Sequence, residues 1–566
     1  MRLAGLASVT GGDLSRDLIA GAVTAVLLVP QALAYALLAG LPPEAGLYAA
    51  MLPALFYACT GTSPALSVGP VAVVSLMTAT SLAPLAAQGS AAYWQDALIL
   101  ALLAGVMLSG LGLLRLGLLT GFLSYPVMSG FAMGAAVLIV LSQLPQILGL
   151  RLNAAGDAAS QTLHLLQALP QTSITPLAVG ALSIAALLLA RNALPRWLTA
   201  AGLPEPVTAT ACRTMPLLLV LATSLGAAHL PLHGSLQLVG RLATGLPRLA
   251  PPPLDWNRWR ALLGPAALIG LVGYLEGISI AQVLARRHRH EVKANRELAA
   301  IGLANLAAAF TQGMPVAGSL SRSVVNDAAG ARSRLAGVVA AVLVIASSVV
   351  LAPLLETLPR AVLAAIIVVA VLRLLDWRSL LRVWRYDRAD GLAWAVTTAG
   401  VLAVGAEIGF VAGLAMSLLL YIWRTANPHI VEVGHVPNSN LWVETDRHHD
   451  LELWPQLLLV RIDESLFFGN AAAVQTFVMD KLGKRPEVSD VILICSAVNA
   501  VDASALQMLE DLCESLGQGG VTVHLAEVKG PLRDRLEHTR LFELLGRQRL
   551  HASVATAISA LASPPI

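Results

Sequence analysis

The stretches SVGPVAVVSLM (residues 67–77) and MPVAGSLSRSVVNDAAG (residues 314–330) decide how this chain folds. Each is apolar, each opens on Gly, Pro and Ser, and each is too short or too interrupted for the ~20 residues a spanning helix needs. Counted along the apolar runs, each is third in a group of seven. The first group reads 18–38, 44–60, 67–83, 95–118, 121–144, 172–191 and 213–229. The second reads 264–285, 294–312, 318–330, 335–353, 358–375, 389–407 and 409–424. Short, Gly/Pro-broken segments at matching places in two halves point to an inverted-repeat secondary transporter. Backbone leaves the helix at membrane depth only where it lines a polar cavity. The exposed N–H groups at a helix start carry partial positive charge, which suits an anion. The plainer alternative, ordinary kinked packing helices, leaves the matched positions to coincidence.

Composition says that lipid is the solvent. Of the 566 residues 56% are hydrophobic and 13% charged, against roughly 45–50% and 25% in soluble proteins; mean hydropathy is +0.72. Residues 1–424 hold 26 Lys+Arg and 16 Asp+Glu, while residues 425–566 hold 11 and 18. A basic membrane part thus precedes an acidic tail, which excludes a nucleic-acid partner. Cys59, Cys212, Cys495 and Cys513 have no paired spacing, so disulfide and zinc frameworks are not expected. No cleavable signal pattern opens the chain, so the first apolar run counts as a span. With the N-terminus inside, nineteen Lys and Arg fall on cytoplasmic positions and six on the opposite side. This is the positive-inside pattern. With an even number of spans it puts both termini of a multi-pass protein in the cytoplasm; a bacterial inner membrane is the expected location. The expected domains are 1–17 (N-terminus), 18–230 (first repeat), 231–263 (loop), 264–424 (second repeat) and 430–566 (cytoplasmic domain).

Two ionisable residues sit inside apolar runs: Arg322 in the second broken segment, and Glu276 in ALIGLVGYLEGISIAQVLA. A charge at the bilayer centre costs roughly 2.5–3.5 kcal/mol or more, so such residues usually serve a pathway; a structural ion pair between the two is the alternative. Glu407 reads as a span-end residue reaching the interface. The run RRHRHEVK (286–293) reads as a topology-setting loop, and His448 and His449 as solvated loop residues.

The stretch PPEAGLYAAMLPALFYACTGTSP (42–64) resembles the signature of the sulfate permease (SulP) family. Ala45 and Pro64 depart from it, at positions where an aromatic and a basic residue are common. VPQALAYALLAGLPP (29–43), SVGPVAVVSLM and residues 294–337 are similar to the same family in the same order. The resemblance implies about fourteen helices in a 7+7 inverted repeat with UraA-like core and gate domains. One anion would be held between the starts of the third and tenth helices. It places Gln31 and Tyr35 on the first helix, Gly69, Pro70 and Val71 at the third, and Gly318, Ser319, Leu320, Ser321 and Arg322 at the tenth. Glu276, with Ser279, would take the coupling ion, H+ or a Na+ held at Glu276, Gly318 and Ser319. No other cofactor is expected. A homodimer is implied.

Beyond residue 427 the pattern changes to strands alternating with helices, a small α/β domain. LLLVRIDESLFF, VILICSAVNAV and VTVHLAEV read as strands. NAAAVQTFVMDKLG reads as a helix capped by Asn470, and PLRDRLEHTRLFELLG as another helix. With VDASAL (501–506) this part resembles the sulfate transporter and anti-sigma factor antagonist (STAS) domain, which could receive a cytoplasmic regulator. Ala503 stands where regulatory relatives carry a phosphorylatable serine; Ser504 is a helix N-cap or an acceptor. The sequence therefore points to a secondary transporter of a small anion, with sulfate first and bicarbonate or a C4-dicarboxylate next. An anion channel and a membrane-anchored STAS scaffold are the alternatives. No nucleophile–base pair or metal cluster supports an enzyme.

Overall fold

The computed structural model describes residues 11–117, 124–150, 152, 158–202, 204–229, 236–240, 242, 245–289, 291–439, 441–448 and 450–561. Arg2, Arg151, Arg241, His290 and His449 lie outside the described residues. The chain divides into two compact units, Met1–Ser417 and Leu418–Ile566.

The first half of the membrane part comprises α1 (Gly11–Leu38), α2 (Pro43–Thr60), β1 (Val68–Gly69), α3 (Ala72–Leu82), α4 (Ala91–Leu113), α5 (Tyr125–Leu148), α6 (Ala158–Ala168), α7 (Ile174–Asn192), α8 (Leu194–Ala200) and α9 (Glu205–His229). The second comprises α10 (Trp256–His288), α11 (Ala294–Phe310), β2 (Ala317–Gly318), α12 (Leu320–Ala328), α13 (Leu335–Val350), α14 (Ala352–Glu356), α15 (Arg360–Val371), α16 (Trp377–Tyr386), α17 (Arg388–Val404) and α18 (Ala406–Ala426). Each of the fourteen expected apolar segments coincides with a helix, and α6, α8, α14 and α16 are short additions between them. Among the described residues six helices are by themselves long and apolar enough to cross a membrane. α3, α12 and α13 are shorter, at 11, 9 and 16 residues.

The boundaries follow local chemistry. Pro43 opens α2 at its first turn, where a missing N–H costs nothing. Asp255 accepts from the N–H groups of Asn257 and Arg258, starting α10 eight residues before the expected span. Arg258 and Arg260, expected in a loop, therefore lie in a helix, and Arg258 clasps the buried Asp96 of α4 at 2.6 Å. α4 packs on α10 and α11, and α1 on α2 and α13, forming the core body; α5, α7, α15 and α17 pack together in the gate. Small residues allow the closest approaches. A Cβ on Gly46 of α2 would stand 1.9 Å from the Ala32 carbonyl oxygen of α1.

The second unit contains β3 (Ile430–His435), β4 (Trp442–Glu444), β5 (Leu457–Ile462), α19 (Ala471–Lys484), β6 (Asp490–Ile494), α20 (Ala503–Gln518), β7 (Thr522–Ala526), α21 (Gly530–Leu536), α22 (Arg540–Leu545), β8 (Leu550–His551) and α23 (Val554–Leu561). Its sheet runs β4-β3-β5-β6-β7-β8, parallel from β5 to β8, with β3 antiparallel to both neighbours. One apolar cluster fills the face under α19 to α22, and a smaller one the face under α23. Three details depart from expectation. Asn470 stands at the start of α19, but its side chain turns back to Phe467 N and the Ser465 carbonyl. Asp502, not Ser504, caps α20, accepting from Ala505 N at 2.8 Å. PLRDRLEHTRLFELLG makes two helices, not one, the second starting after Thr539.

Candidate anion-binding site

The two broken segments meet. β1 and β2 pair antiparallel, Val68 opposite Gly318 and Gly69 opposite Ala317. Ser319 N donates to the Ser67 carbonyl (2.9 Å), and Ser67 N donates to Ser323 Oγ (2.9 Å). Asn305 of α11 secures the approach to β2, accepting from Val316 N and donating to the Val316 carbonyl. Asn326 donates to the Ala65 carbonyl and accepts from Thr24 of α1. The starts of α3 and α12 are thereby held alongside each other. Their N-cap residues, Val71 and Ser319, make no side-chain cap hydrogen bond. Two helix starts with open N–H groups converge, as an anion requires.

Arg322, in the first turn of α12, is fully buried. Its Nε donates to Ser67 Oγ (3.3 Å), and its Nη1 donates to Gln31 Oε1 (3.1 Å) and to the Pro70 carbonyl (2.9 Å). Its Nη2 has no hydrogen-bond partner among the described residues. Among the described residues no carboxylate lies within ion-pair distance of this guanidinium, so the expected alternative of an Arg322–Glu276 ion pair is not formed. Gly69 leaves the room beside the free nitrogen: a Cβ there would stand 3.3 Å from Nη2.

The other candidates distribute around this centre. Tyr35 is buried on α1 and feels the charges of Arg322 and Glu276. Ser321 reaches the cavity described below, while Leu320 is 38% exposed. Glu276 lies within electrostatic reach of Arg322. Its neighbour Gly277 packs so tightly on β2 that a Cβ on Gly318 would lie 2.7 Å from the Gly277 Cα. Glu276, Gly318 and Ser319 are therefore close along the chain to one backbone contact, but Ser279 is exposed on α10.

Two cavities flank the contact between α1 and α15. One, of about 620 Å³, touches α1 at Leu27 and Gln31, α12 at Ser321, and α15 at Ile366 and Ala370. Its mouth carries Arg191, Arg196 and Arg373. The other, of about 710 Å³, touches α1 at Ala34 and Leu38 and α15 at Leu363 and Ala364, with Arg360, Gln143 and Gln146 around it. Only the first reaches Gln31 and Ser321. Sequence reasoning missed Arg373, which it counted among the cytoplasmic-side charges at the end of the span 358–375; the residue lines the cavity and feels Tyr35 and Glu276. Ser67, Asn305, Ser323 and Asn326 were missed too, since single polar residues in apolar runs carry no distinguishing spacing.

The signature stretch 42–64 serves the scaffold. The buried Glu297 carboxylate accepts from Tyr57 Oη (2.8 Å), from Thr62 N and Oγ1 (both 2.5 Å) and from Ser63 N (3.1 Å). This fastens the end of α2 to the start of α11. Glu407 stands in the first turn of α18 and receives the Ser81 hydroxyl at the end of α3.

Comparison with known proteins agrees with this architecture. Residues 14–397 match the model of the sulfate permease family, and residues 447–557 that of the STAS domain. A probable sulfate transporter of Mycobacterium tuberculosis is 36% identical over 549 residues, covering 96% of this chain and 94% of that protein. The structure of the murine solute carrier 26 family member A9 anion transporter in the inward-facing state superposes with a TM-score of 0.88 at 24% identity, covering 97% and 91% of the two chains. The transmembrane domain of a cyanobacterial bicarbonate transporter, BicA, superposes with a TM-score of 0.58 at 24% identity, covering 73% of this chain and 98% of that one. With its UraA-like core-and-gate membrane part and its C-terminal STAS domain, the chain belongs to the sulfate permease family of multi-pass membrane anion transporters, which are not enzymes.

Proposed function

We propose that the protein is a secondary active transporter of a small oxyanion, sulfate first and bicarbonate or a C4-dicarboxylate next. The anion would sit between the starts of α3 and α12, alternating access to it through the two cavities. One observation carries this reading: a fully buried guanidinium with an unpartnered Nη2 stands between two uncapped helix starts. Backbone N–H groups and a guanidinium fork can replace an oxyanion's hydration shell. The relatives' names, sulfate transporter and bicarbonate transporter, supply the candidate substrates.

Glu276 is the proposed coupling residue, binding H+, or Na+ together with backbone oxygens of Gly318 and Ser319. A dianion entering against an inside-negative potential needs such compensation, at about 2.3 kcal/mol per charge per 100 mV. The protein would sit in a bacterial inner membrane as a homodimer with both termini cytoplasmic, its STAS domain available to a regulator. A scaffold with a degenerate membrane part is disfavoured by the intact hydrogen bonds of Arg322.

The test is uptake into proteoliposomes across a panel of anions, with proton and sodium gradients imposed separately. Wild-type protein should concentrate one oxyanion class under one gradient; Glu276→Gln should lose accumulation and retain exchange. Currents too large for alternating access would establish the channel, and accumulation by Glu276→Gln at the wild-type level would move coupling elsewhere.

A further inference from the structure

α16, WRSLLRVWRY, joins α15 to α17, and both of those helices pack on α5. Ten residues rising 1.5 Å each extend about 15 Å, half the ~30 Å of bilayer hydrocarbon. At that length α16 does not span the bilayer, and we take it to lie along one membrane surface. Its faces are sorted by chemistry. Ser379 is buried, with its Oγ 3.1 Å from Ser129 Oγ and 3.4 Å from Tyr125 Oη, and seats the helix on α5. Trp377, Leu381 and Trp384 follow at i, i+4 and i+7, one stripe that is 61%, 58% and 45% exposed. One position further round, Arg378, Arg382 and Arg385 make a second exposed stripe. These arginines border a shallow recess of about 500 Å³ with Leu381 and Tyr386.

We infer that α16 is a binding site for anionic phospholipid, its Trp/Leu stripe set among acyl chains and its three arginines on headgroup phosphates. Indole rings favour the interface between hydrocarbon and water. Arginine stems lie along apolar surface while their heads stay in the polar layer. A guanidinium matches the paired oxygens of a phosphate. The loop charge places α16 on the cytoplasmic side, whose leaflet is the anionic one. This site is separate from the transport pocket.

The test is native mass spectrometry of the full chain in neutral detergent, titrated in turn with phosphatidylglycerol, phosphatidylcholine and inorganic phosphate. Each arginine near anionic lipid is worth about fivefold in partition. Wild-type protein should therefore retain phosphatidylglycerol at least tenfold more strongly than phosphatidylcholine, and R378Q/R382Q/R385Q should lose that preference. Millimolar inorganic phosphate should not displace the lipid. Equal retention of the two lipids, an unchanged preference in the triple variant, or displacement by phosphate would overturn the proposal. So would a triple variant whose oligomer mass changes while its lipid count does not, because the face would then belong to a second copy.

Discussion

Gly69→Ala tests the proposed anion site without removing a charge or one of Arg322's existing hydrogen bonds. Gly69 is not among the residues with positive φ, so alanine can adopt its backbone conformation. The new methyl would stand 3.3 Å from Arg322 Nη2 and 3.5 Å from Leu28 Cδ1. That is tight, but not a clash that unfolds the crossing. An oxyanion bonds a guanidinium at about 2.7–2.9 Å, so the methyl occupies part of the approach to the free nitrogen. Losing one hydrogen bond to a charged group costs about 1.5–3 kcal/mol, or about ten- to a hundredfold in affinity. Gly110→Ala is the control, since nothing lies within 4 Å of its added Cβ. Sulfate titration of the purified protein by calorimetry should show the loss for Gly69→Ala and none for Gly110→Ala. A Gly69→Ala protein that melts like wild type and binds sulfate with full affinity would show that Nη2 is not an anion ligand.

Arg373→Gln should weaken a divalent anion more than a monovalent one: if one screened charge is worth ~1 kcal/mol, the monoanion loses about fivefold and the dianion about twenty-five-fold, so the ratio of the two uptake KM values should shift by about fivefold. Glu297→Ala should lower the apparent melting temperature in detergent, because Tyr57 Oη, Thr62 N and Ser63 N lose their acceptor at about 1–3 kcal/mol per unsatisfied buried group; Tyr57→Phe should cost less. The fragment 425–566 should fold alone and be most stable above pH 6.5. Burial depresses His524 below its usual 6.5, with Asp490 opposing and His551 adding to the effect, and burial likewise depresses His551. The unfolded chain therefore takes up protons first as pH falls, and stability drops from pH 6.5 downward. A urea midpoint that stays level to pH 5.5 would refute this.

Legibility differed by the kind of signal. Apolar length placed a helix in each expected segment, and the matched Gly/Pro breaks singled out the two that meet, because membrane depth forbids irregular backbone elsewhere; that they converge came from the family resemblance. Arg322 was legible for the same reason: a charge in an apolar run has few excuses. Arg373 was not, because at a span end an arginine that lines a cavity and one that sets topology read alike. Glu297 was hidden by its place in ANRELAAIGLANLAAAF, where it looks like a first-turn acid favoured by the helix dipole. Its contact with Tyr57, Thr62 and Ser63 spans more than 230 residues, and no local pattern encodes that. α16 was absorbed into a charged loop, since ten residues rich in arginine match no spanning template.

The hydrogen bonds also say what has to move as one piece. Arg322 joins α12 to Gln31 of α1 and to Pro70 ahead of α3, and the β1–β2 pair closes the ring. On the proposed reading, an anion held at this crossing would be carried by α1, α3 and α12 together, and Glu276 would travel with them through the Gly277–Gly318 contact. Arg373 belongs to the other body, at the end of α15. Both cavities end on the α1–α15 contact, so exchanging one opening for the other requires these two helices to shift past each other. On the proposed reading, the anion sees Arg322 in every state but sees Arg373 in full only when the Gln31–Ser321 cavity is open. A ligand shifts a conformational equilibrium only by its differential affinity for the two states. Arg373 is then the residue that makes the two faces of the cycle unequal, favouring the anion on the side of Arg191 and Arg196. Glu276, on the same proposal, would stay with the anion and offset its charge on both sides.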